Sequence, residues 1–390
     1  MAFGQQTGVI QGEVTTADGT PLPGVTVEAS SNVLPQARVV TTSVSGEYRF
    51  PALPPGDYLV EFNLAGMETQ TRNVKVFLNQ DTFVNVQMGI EQVAETITVV
   101  AETPFIDKTS TAIKSAVGNE AIEKLPVGQD YDSLIKLIPA VQYEEFDTRG
   151  PSAGGSGQDN VYEFDGVDVT LPQYGTLSAE PSNHDIEQIS IVKGGAKAID
   201  FNRAGGFSID SVSKSGTNEW SGRLSYQIQS EGMRGDLDTG TDLEFEEDRD
   251  WATVGIGGPI ARDLAYFYGS YYRPTRERDN QANLYGELPK FESVRDEFFG
   301  KVTLTPTSAI LLHGSYRDSE TDQQAGTLFG EAVAPTTAVG FDSTLGIAIV
   351  EGSWLISDNS YATFKYSDFE NKNSSRPDNL LDFNVRFDGS

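Results

Sequence analysis

The 390-residue chain contains no cysteine and only two histidines, His184 and His313. Disulfides and thiolate metal sites are therefore excluded, and the wide separation of the histidines argues against a His-based metal or catalytic centre. Basic residues are also scarce, since 28 Lys and Arg stand against 57 Asp and Glu, a net charge of −29. This charge repels phosphates, so nucleic acid is excluded as a partner. We predict no cofactor.

Long apolar runs are missing too. No stretch approaches the roughly 18–20 consecutive apolar residues that a membrane-spanning helix needs. Hydropathy alone would indicate a soluble protein, but the strands of membrane β-barrels alternate lipid-facing and lumen-facing residues and escape this criterion. Residues 1–6 have neither a basic start nor an apolar run, so no signal peptide is predicted.

Residues 8–89 contain short alternating runs, such as Tyr58–Phe62, that recur about every 8–12 residues between Pro/Gly turns. This spacing predicts a small β-sandwich. The pattern G-x-V-x-x-x-D-G-x-P-L-P-G-V-x-V runs from Gly12 to Val27, and a Gly-x-Tyr-x-Phe strand begins at Gly46. Related folds bind carbohydrate, but no aromatic sugar platform is visible, which favours a structural spacer.

Residues 102–217 form a mixed region. Apolar spacing predicts helices over 115–125 and 131–138, each ended by a proline. A strand–Asp-Gly–strand pattern over 160–169 predicts a hairpin, and 186–192 a further strand. The Gly-rich segment 150–157 spells Gly-x-Ser-x-Gly but lacks the strand, helix and Lys-Ser/Thr context of catalytic or phosphate-binding motifs, so it is interpreted as a loop.

Residues 218–390 contain alternating strands with one apolar and one polar face. Leu224, Tyr226 and Ile228 alternate with Ser225, Gln227 and Gln229. The strands are predicted at 220–229, 250–257, 264–272, 296–304, 308–317, 343–354 and 360–369.

The connections between these strands alternate between long and short. Long external loops and tight periplasmic turns are typical of an outer-membrane barrel. Aromatic residues near the strand ends would form its girdles. The alternative is a soluble β-sandwich with loops of uneven length.

In order and spacing, three segments resemble the plug domain of TonB-dependent receptors: Glu120–Pro126, the hairpin at Phe164–Val169 and Ile186–Gly195. The run Lys214–Glu219 and the first region, which resembles a carboxypeptidase regulatory-like domain, point to the Oar-like branch. One departure is the irregular stretch 200–211. The resemblance implies a mainly β fold: a β-sandwich (8–89), a linker (90–101), a mixed α/β plug (102–217) and the first antiparallel strands of a transmembrane β-barrel (218–390).

The resemblance also implies a function without covalent chemistry, so we do not expect an enzyme. It implies active transport of an unidentified ligand across the outer membrane of a Gram-negative bacterium, with the first domain and plug facing the periplasm. The partners would be the lipid bilayer and a TonB-type inner-membrane protein. A plugged barrel takes about 22 strands. With seven placed before Ser390, we expect the chain to be the amino-terminal part of such a receptor.

Within this resemblance, the segment just ahead of the plug looks like the TonB box. It consists of Glu95, Thr96, Ile97, Thr98, Val99, Val100 and Ala101. A short β-prone segment without Pro or Gly can add as a strand to the sheet edge of a partner. The alternative is a linker strand that pairs with its own plug.

The first long loop carries alternating carboxylates around a glycine, at Asp236, Asp238 and Asp242. They could wrap calcium, but the Glu spacing of an EF-hand is missing, so a solvated acidic loop is favoured. Acidic external loops also disfavour strongly anionic ligands. The competing function for the whole chain is a surface or secreted β-rich adhesin or carbohydrate-binding protein.

Overall fold

The computed structural model describes residues 7–78, 80–90, 113–124, 131–136, 139, 141–142, 151–152, 156–171, 175, 177, 182–193, 206–233, 247–280, 282–325, 338–357 and 360–377. The TonB-box segment and the calcium candidates Asp236, Asp238 and Asp242 lie outside these residues. Among the described residues, no helix is long and apolar enough to cross a membrane.

The first domain contains eight strands: β1 (Gly8–Thr16), β2 (Thr26–Ser30), β3 (Arg38–Thr41), β4 (Glu47–Leu53), β5 (Gly56–Asn63), β6 (Gln70–Val76), β7 (Asp81–Phe83) and β8 (Val86–Met88). One sheet has the order β3-β2-β5-β6, and the other has β4-β1-β7 with β8 also beside β1. Alternate residues, such as Val27 and Phe62, fill the core between the sheets. Gly12 is needed because a Cβ there would lie 2.0 Å from the Val84 carbonyl oxygen.

A five-stranded sheet, which we call the plug sheet after the resemblance given above, contains β9 (Ile113–Gly118), β10 (Val161–Phe164), β11 (Val167–Asp168), β12 (Ile186–Lys193) and β13 (Phe207–Ser213), in the order β11-β10-β13-β12-β9. It carries two short helices, α1 (Asn119–Lys124) and α2 (Tyr131–Ile135). Three 3-10 turns lie at Gly157–Asp159, Asn183–Asp185 and, farther on, Glu231–Met233.

The plug sheet differs from the prediction in two places. The helix predicted from 115 begins only at Asn119, because residues up to Gly118 pair with β12 as an antiparallel edge strand. Of the stretch 200–211 that departed from the family pattern, the described residues from Phe207 onward belong to the regular strand β13, whose seven residues are all buried between β10 and β12. A strand buried on both faces does not show apolar alternation, which explains the irregular sequence.

The remaining strands form a seven-stranded antiparallel sheet, which we call the wall. Its strands follow chain order: β14 (Ser221–Gln229), β15 (Glu247–Ala261), β16 (Ala265–Arg278), β17 (Phe291–Thr307), β18 (Ile310–Gln324), β19 (Val339–Ser357) and β20 (Ser360–Pro377). The register places the odd-numbered residues of β14, β15 and β17–β20 on the same face as the even-numbered residues of β16. This inward face meets the plug sheet.

The opposite, outward face of the wall is apolar and exposed. Its side chains include Leu224 (82% exposed), Tyr226, Ile228, Val254, Ile256, Phe298, Val302, Tyr316, Val350, Trp354, Phe364 and Tyr366. An exposed apolar band along one face of an antiparallel sheet is the pattern of a lipid-facing wall. The predicted fold class is therefore confirmed.

The strands of the wall are longer than predicted at the end where the long loops lie. β16 reaches Arg278 and β18 reaches Gln324, beyond the predicted strand ends at 272 and 317. These extensions are polar on both faces, so they lack the apolar alternation from which the strands were recognised. Backbone pairing with the neighbouring strands supports them instead.

Candidate functional site

The plug sheet and the wall meet in a buried interface that combines apolar and ionic contacts. The apolar part comes from β19, where Leu345, Ile347 and Ile349 join the core of the plug sheet. Burying such a side chain contributes about 1.5–3 kcal/mol each. The ionic part involves β17, β18 and β20, which present cations to carboxylates of the plug sheet.

The first ionic contact forms at the tight turn between β10 and β11. Asp165 adopts a left-handed conformation with φ 47°, and its carboxylate accepts hydrogen bonds from Ser213 N at 2.8 Å and Ser213 Oγ at 2.7 Å. From the wall, Lys301 Nζ lies 4.0 Å from Asp165 Oδ1 and donates to the Ser213 carbonyl at 3.2 Å. Lys365 of β20 donates to the Asp165 carbonyl oxygen. Two wall lysines thus hold one plug turn.

The charge state of Asp165 follows from these contacts. Burial alone would raise the pKa of its carboxyl group, but the Lys301 ammonium and the hydrogen bonds from Ser213 outweigh burial and lower the pKa. Asp165 is therefore ionised at neutral pH and forms a true ion pair with the wall.

Arg317 of β18 makes the second ionic contact and is only 1% exposed. Its Nη1 lies 3.3 Å from Asp185 Oδ2 of the plug sheet and also donates to Glu297 of the wall. The guanidinium lies between two rings, 4.6 Å from the centroid of Phe164 and 4.5 Å from that of Phe299. One wall arginine is thus held by a plug carboxylate, a plug ring and a wall ring.

Further hydrogen bonds support this second contact. Tyr268 of β16 donates to Asp185 Oδ1 at 3.2 Å, and the backbone N–H of Ser182 donates to Glu297 Oε1 at 3.2 Å. Burial raises the pKa of Asp185; the Arg317 guanidinium acts in the opposite direction, and the neighbouring Glu297 carboxylate adds to the rise.

A third plug carboxylate, Asp210, lies buried in the middle of β13. Burial and the neighbouring Glu163 hold the pKa of Asp210 well above its ordinary value, while Lys365 acts in the opposite direction. The plug therefore contains two buried carboxyl groups in opposite states. Asp165 is stabilised in its charged form, and Asp210 is stabilised in its neutral form.

The first domain contacts the plug sheet as well. Leu78, in the connection after β6, is fully buried but lies outside the core cluster of its own domain. Its backbone N–H donates to Gln188 Oε1 at 3.0 Å, and its carbonyl accepts from Ser190 Oγ at 3.2 Å. Because Gln188 and Ser190 belong to β12, the first domain is joined to the plug sheet at the strand next to its β9 edge.

The sequence analysis identified none of these residues as functional. Lys301 and Lys365 lie within predicted strands, and Asp165 lies in the predicted Asp-Gly turn. Asp185 and Arg317 were not singled out. The available signal was a charged residue on the inward face of a predicted strand, but its partner is far away in sequence, as with Asp185 and Arg317.

The fold and this interface resemble the architecture of a TonB-dependent outer-membrane receptor with an additional first domain. Residues 9–89 match the carboxypeptidase regulatory-like domain family. The chain is 28% identical over 354 residues, 84% of its length, to the TonB-dependent transporter Oar of Myxococcus xanthus. The resemblance to TonB-dependent receptors of the Oar-like branch is thus confirmed.

Among solved structures, the chain is similar to the outer membrane transporter YddB from Escherichia coli. The TM-score is 0.55 at 14% identity, covering 68% of this chain and 40% of that one. This likeness concerns the fold. The chain spans about a third of the length of Oar, of which it covers 32%. Oar is a transporter, in agreement with the prediction that this chain is not an enzyme.

Proposed function

We propose that this chain provides the coupling and gating parts of a TonB-dependent transporter in the outer membrane of a Gram-negative bacterium. The division into a first domain (8–89), a linker (90–101), a plug (102–217) and a wall (218–390) belongs to this proposal. The observation that carries it is the two-faced wall, with an apolar outward side and an inward side that holds a plug by buried ion pairs.

The outward face favours a membrane location over a secreted adhesin. Exposing Leu224, Tyr226, Ile228 and their neighbours to water would leave a contiguous apolar surface, which soluble proteins avoid. In the bilayer the same surface is solvated by lipid. Fractionation of cells that express the complete gene separates the two functions, because recovery of freely soluble secreted protein would contradict the transporter.

The inward face supports gating. The ionic contacts of Asp165 and Asp185 with the wall are buried, so the plug cannot leave without exposing or re-pairing the charges of Lys301 and Arg317. The energy needed to break these buried ion pairs must come from outside the receptor. A TonB-type inner-membrane protein that pulls on the plug would supply it, and ligand binding would be linked to exposure of the pulling site.

The segment Glu95–Ala101 is the proposed pulling site. It lies between β8 of the first domain and β9, the edge strand of the plug sheet, so tension on it acts directly on the plug. Pairing with the partner as an added strand needs the backbone N–H groups of the segment. Proline lacks this donor and should prevent pairing.

We therefore expect Ile97→Pro or Val99→Pro in the complete gene product to abolish binding to the immobilised carboxy-terminal domain of TonB from the same organism. Biolayer interferometry measures this binding without knowledge of the ligand. Gln92→Pro, in the same linker but ahead of the box, is the matched control and should bind like the parent. Equal binding by the Ile97→Pro and Gln92→Pro variants would contradict the assignment of the box.

A further inference from the structure

Strand β12 of the plug sheet is held on both of its faces. Alternate residues of a strand point to opposite faces of the sheet. Ile189 belongs to the core cluster that also contains Ile347 of the wall. On the other face, Gln188 accepts a hydrogen bond from Leu78 N at 3.0 Å, and Ser190 donates to Leu78 O at 3.2 Å. The wall therefore contacts one face of β12, and the first domain contacts the other.

A second contact of the first domain lies beside β9, the edge strand of the plug sheet. Lys75 of β6 reaches Gly118, the last residue of β9, and a Cβ on Gly118 would lie only 3.4 Å from Lys75 Nζ. In the ladder, Gly118 is paired with Gln188 of β12. The first domain thus covers the place where β9 joins β12.

A third contact joins the first domain to the wall. Gln36 donates to the backbone carbonyl of Asp263 at 3.4 Å, in the tight turn between β15 and β16. Asp263 has a left-handed φ of 58°, a conformation that costs free energy in residues other than glycine. Asn218 holds this turn with two hydrogen bonds to Asp263, at 2.7 and 3.0 Å. Because Asn218 belongs to the connection from β13 to β14, the first domain meets the plug–wall connection and the wall at one turn.

These three contacts go beyond what a structural spacer needs. A spacer has only to separate its neighbours, whereas Leu78 is fully buried outside the core cluster of its own domain. The first domain binds the plug sheet and the wall at the same time, so it stabilises the state in which the plug is seated in the wall. A plug that moves away from the wall must break at least one of these contacts.

We propose that the first domain restrains the plug: while the domain is docked, β9 and β12 stay seated, and the plug leaves the wall only after the domain has undocked. This inference rests on the proposed function, because it takes the plug to move. The proposed pulling site Glu95–Ala101 lies in sequence between β8 of the first domain and β9 of the plug sheet. A partner that pulls on it therefore loads the domain and the plug together, and one pull can release first the restraint and then the plug.

Thiol labelling of the wall in the complete gene product in detergent tests the proposal. Ile347 is 3% exposed and packs in the core shared with the plug sheet, so Ile347→Cys should react with maleimide only when the plug is displaced. This chain contains no cysteine, and peptide mass spectrometry measures labelling at residue 347. Leu78→Asp should speed the labelling about tenfold, because the added charge cannot be buried in the docked contact. Val44→Asp, at a 92% exposed position of the same domain, is the matched control and should leave the rate unchanged.

Gln36→Ala is a second variant, because it removes the hydrogen bond to the wall at a position outside the core cluster of the first domain. It should speed the labelling about threefold. The restraint is overturned if Leu78→Asp undocks the domain, measured by labelling of Ser190→Cys, while Ile347→Cys reacts at the rate seen with Val44→Asp. Fast labelling of Ile347→Cys without a second substitution would contradict the gate itself. No TonB is present, so these results are independent of the assignment of the box.

Discussion

At the scale of single residues, Asp165 and Asp210 show how the same side chain acquires opposite properties. Asp165 lies against Lys301 and accepts two hydrogen bonds from Ser213, which lowers its pKa. Asp210 is buried beside Glu163, which raises its pKa. Only the first is stabilised in its charged form, although both belong to the plug sheet.

Replacement by asparagine should therefore act in opposite directions. Asp165→Asn removes the partner of a buried lysine and should destabilise the plug by about 3–5 kcal/mol. Asp210→Asn removes an acid whose ionisation opposes folding and should stabilise the plug at pH 8. Hydrogen exchange in β13 measures both effects, with faster exchange for the first variant and slower exchange for the second. Equal changes in the two variants would contradict the assigned charge states.

The pH dependence follows from the same shifts. A carboxyl group with a lowered folded-state pKa contributes stability above its unfolded pKa, and this contribution is lost as the pH falls through the folded value. Protonation of Asp165 at low pH therefore removes this contribution and weakens the plug. Asp210 has a raised folded-state pKa. Its protonation therefore stabilises the folded protein as the pH falls from the folded-state pKa towards the pKa of Asp210 in the unfolded chain. In Asp165→Asn the acid-induced loss of protection in β13 should shrink.

At the scale of elements, the connection after β6 joins the first domain to β12. Ser190→Cys replaces a buried hydroxyl by a thiol in a chain without other cysteines, so maleimide labelling reports undocking. We expect slow labelling in Ser190→Cys and at least tenfold faster labelling after addition of Leu78→Asp. The added charge cannot be buried in the contact without a partner.

The matched control for this experiment is Val44→Asp, which places the same charge at a 92% exposed position of the same domain. Labelling of Ser190→Cys should not change in this background. Leu78 lies outside the core of the first domain, so the domain should stay folded, and protease resistance of residues 9–89 checks this. Fast labelling of Ser190→Cys alone would mean that the first domain is not docked.

The strands and helices also show which parts of the fold the sequence patterns predict and which parts they miss. The apolar parts of the seven wall strands were predicted because each has one lipid-type face, and so was the hairpin around Asp165. The polar extensions of β16 and β18 were missed because their pairing is set by neighbouring strands. The start of α1 was misplaced because β9 adds to β12 at the edge of the plug sheet.

At the scale of the whole molecule, the two faces of the wall should differ in their tolerance of a charged side chain. Tyr226 and Gln227 are neighbours on β14, but Tyr226 faces outward and Gln227 inward. Tyr226→Arg should reduce insertion, since an arginine on the lipid face costs about 2–4 kcal/mol at the midplane and less near the interfaces. Gln227→Arg should be tolerated.

Heat-modifiable migration of the complete gene product from outer-membrane fractions measures folded insertion in both variants. The same residue type is introduced at adjacent positions, so general effects of charge cancel in the comparison. A soluble protein would accept Tyr226→Arg on its exposed face without loss. Equal recovery of both variants would therefore contradict a lipid-facing wall.

The sequence by itself determined the order of the regions, the alternation that marks the wall, and the turn chemistry of the plug hairpin, because these depend on spacing along the chain. Only the tertiary structure brought Arg317 to Asp185, Lys301 to Asp165 and Leu78 to Ser190. The partners of each pair are more than 100 residues apart in sequence, and no local pattern encodes their proximity.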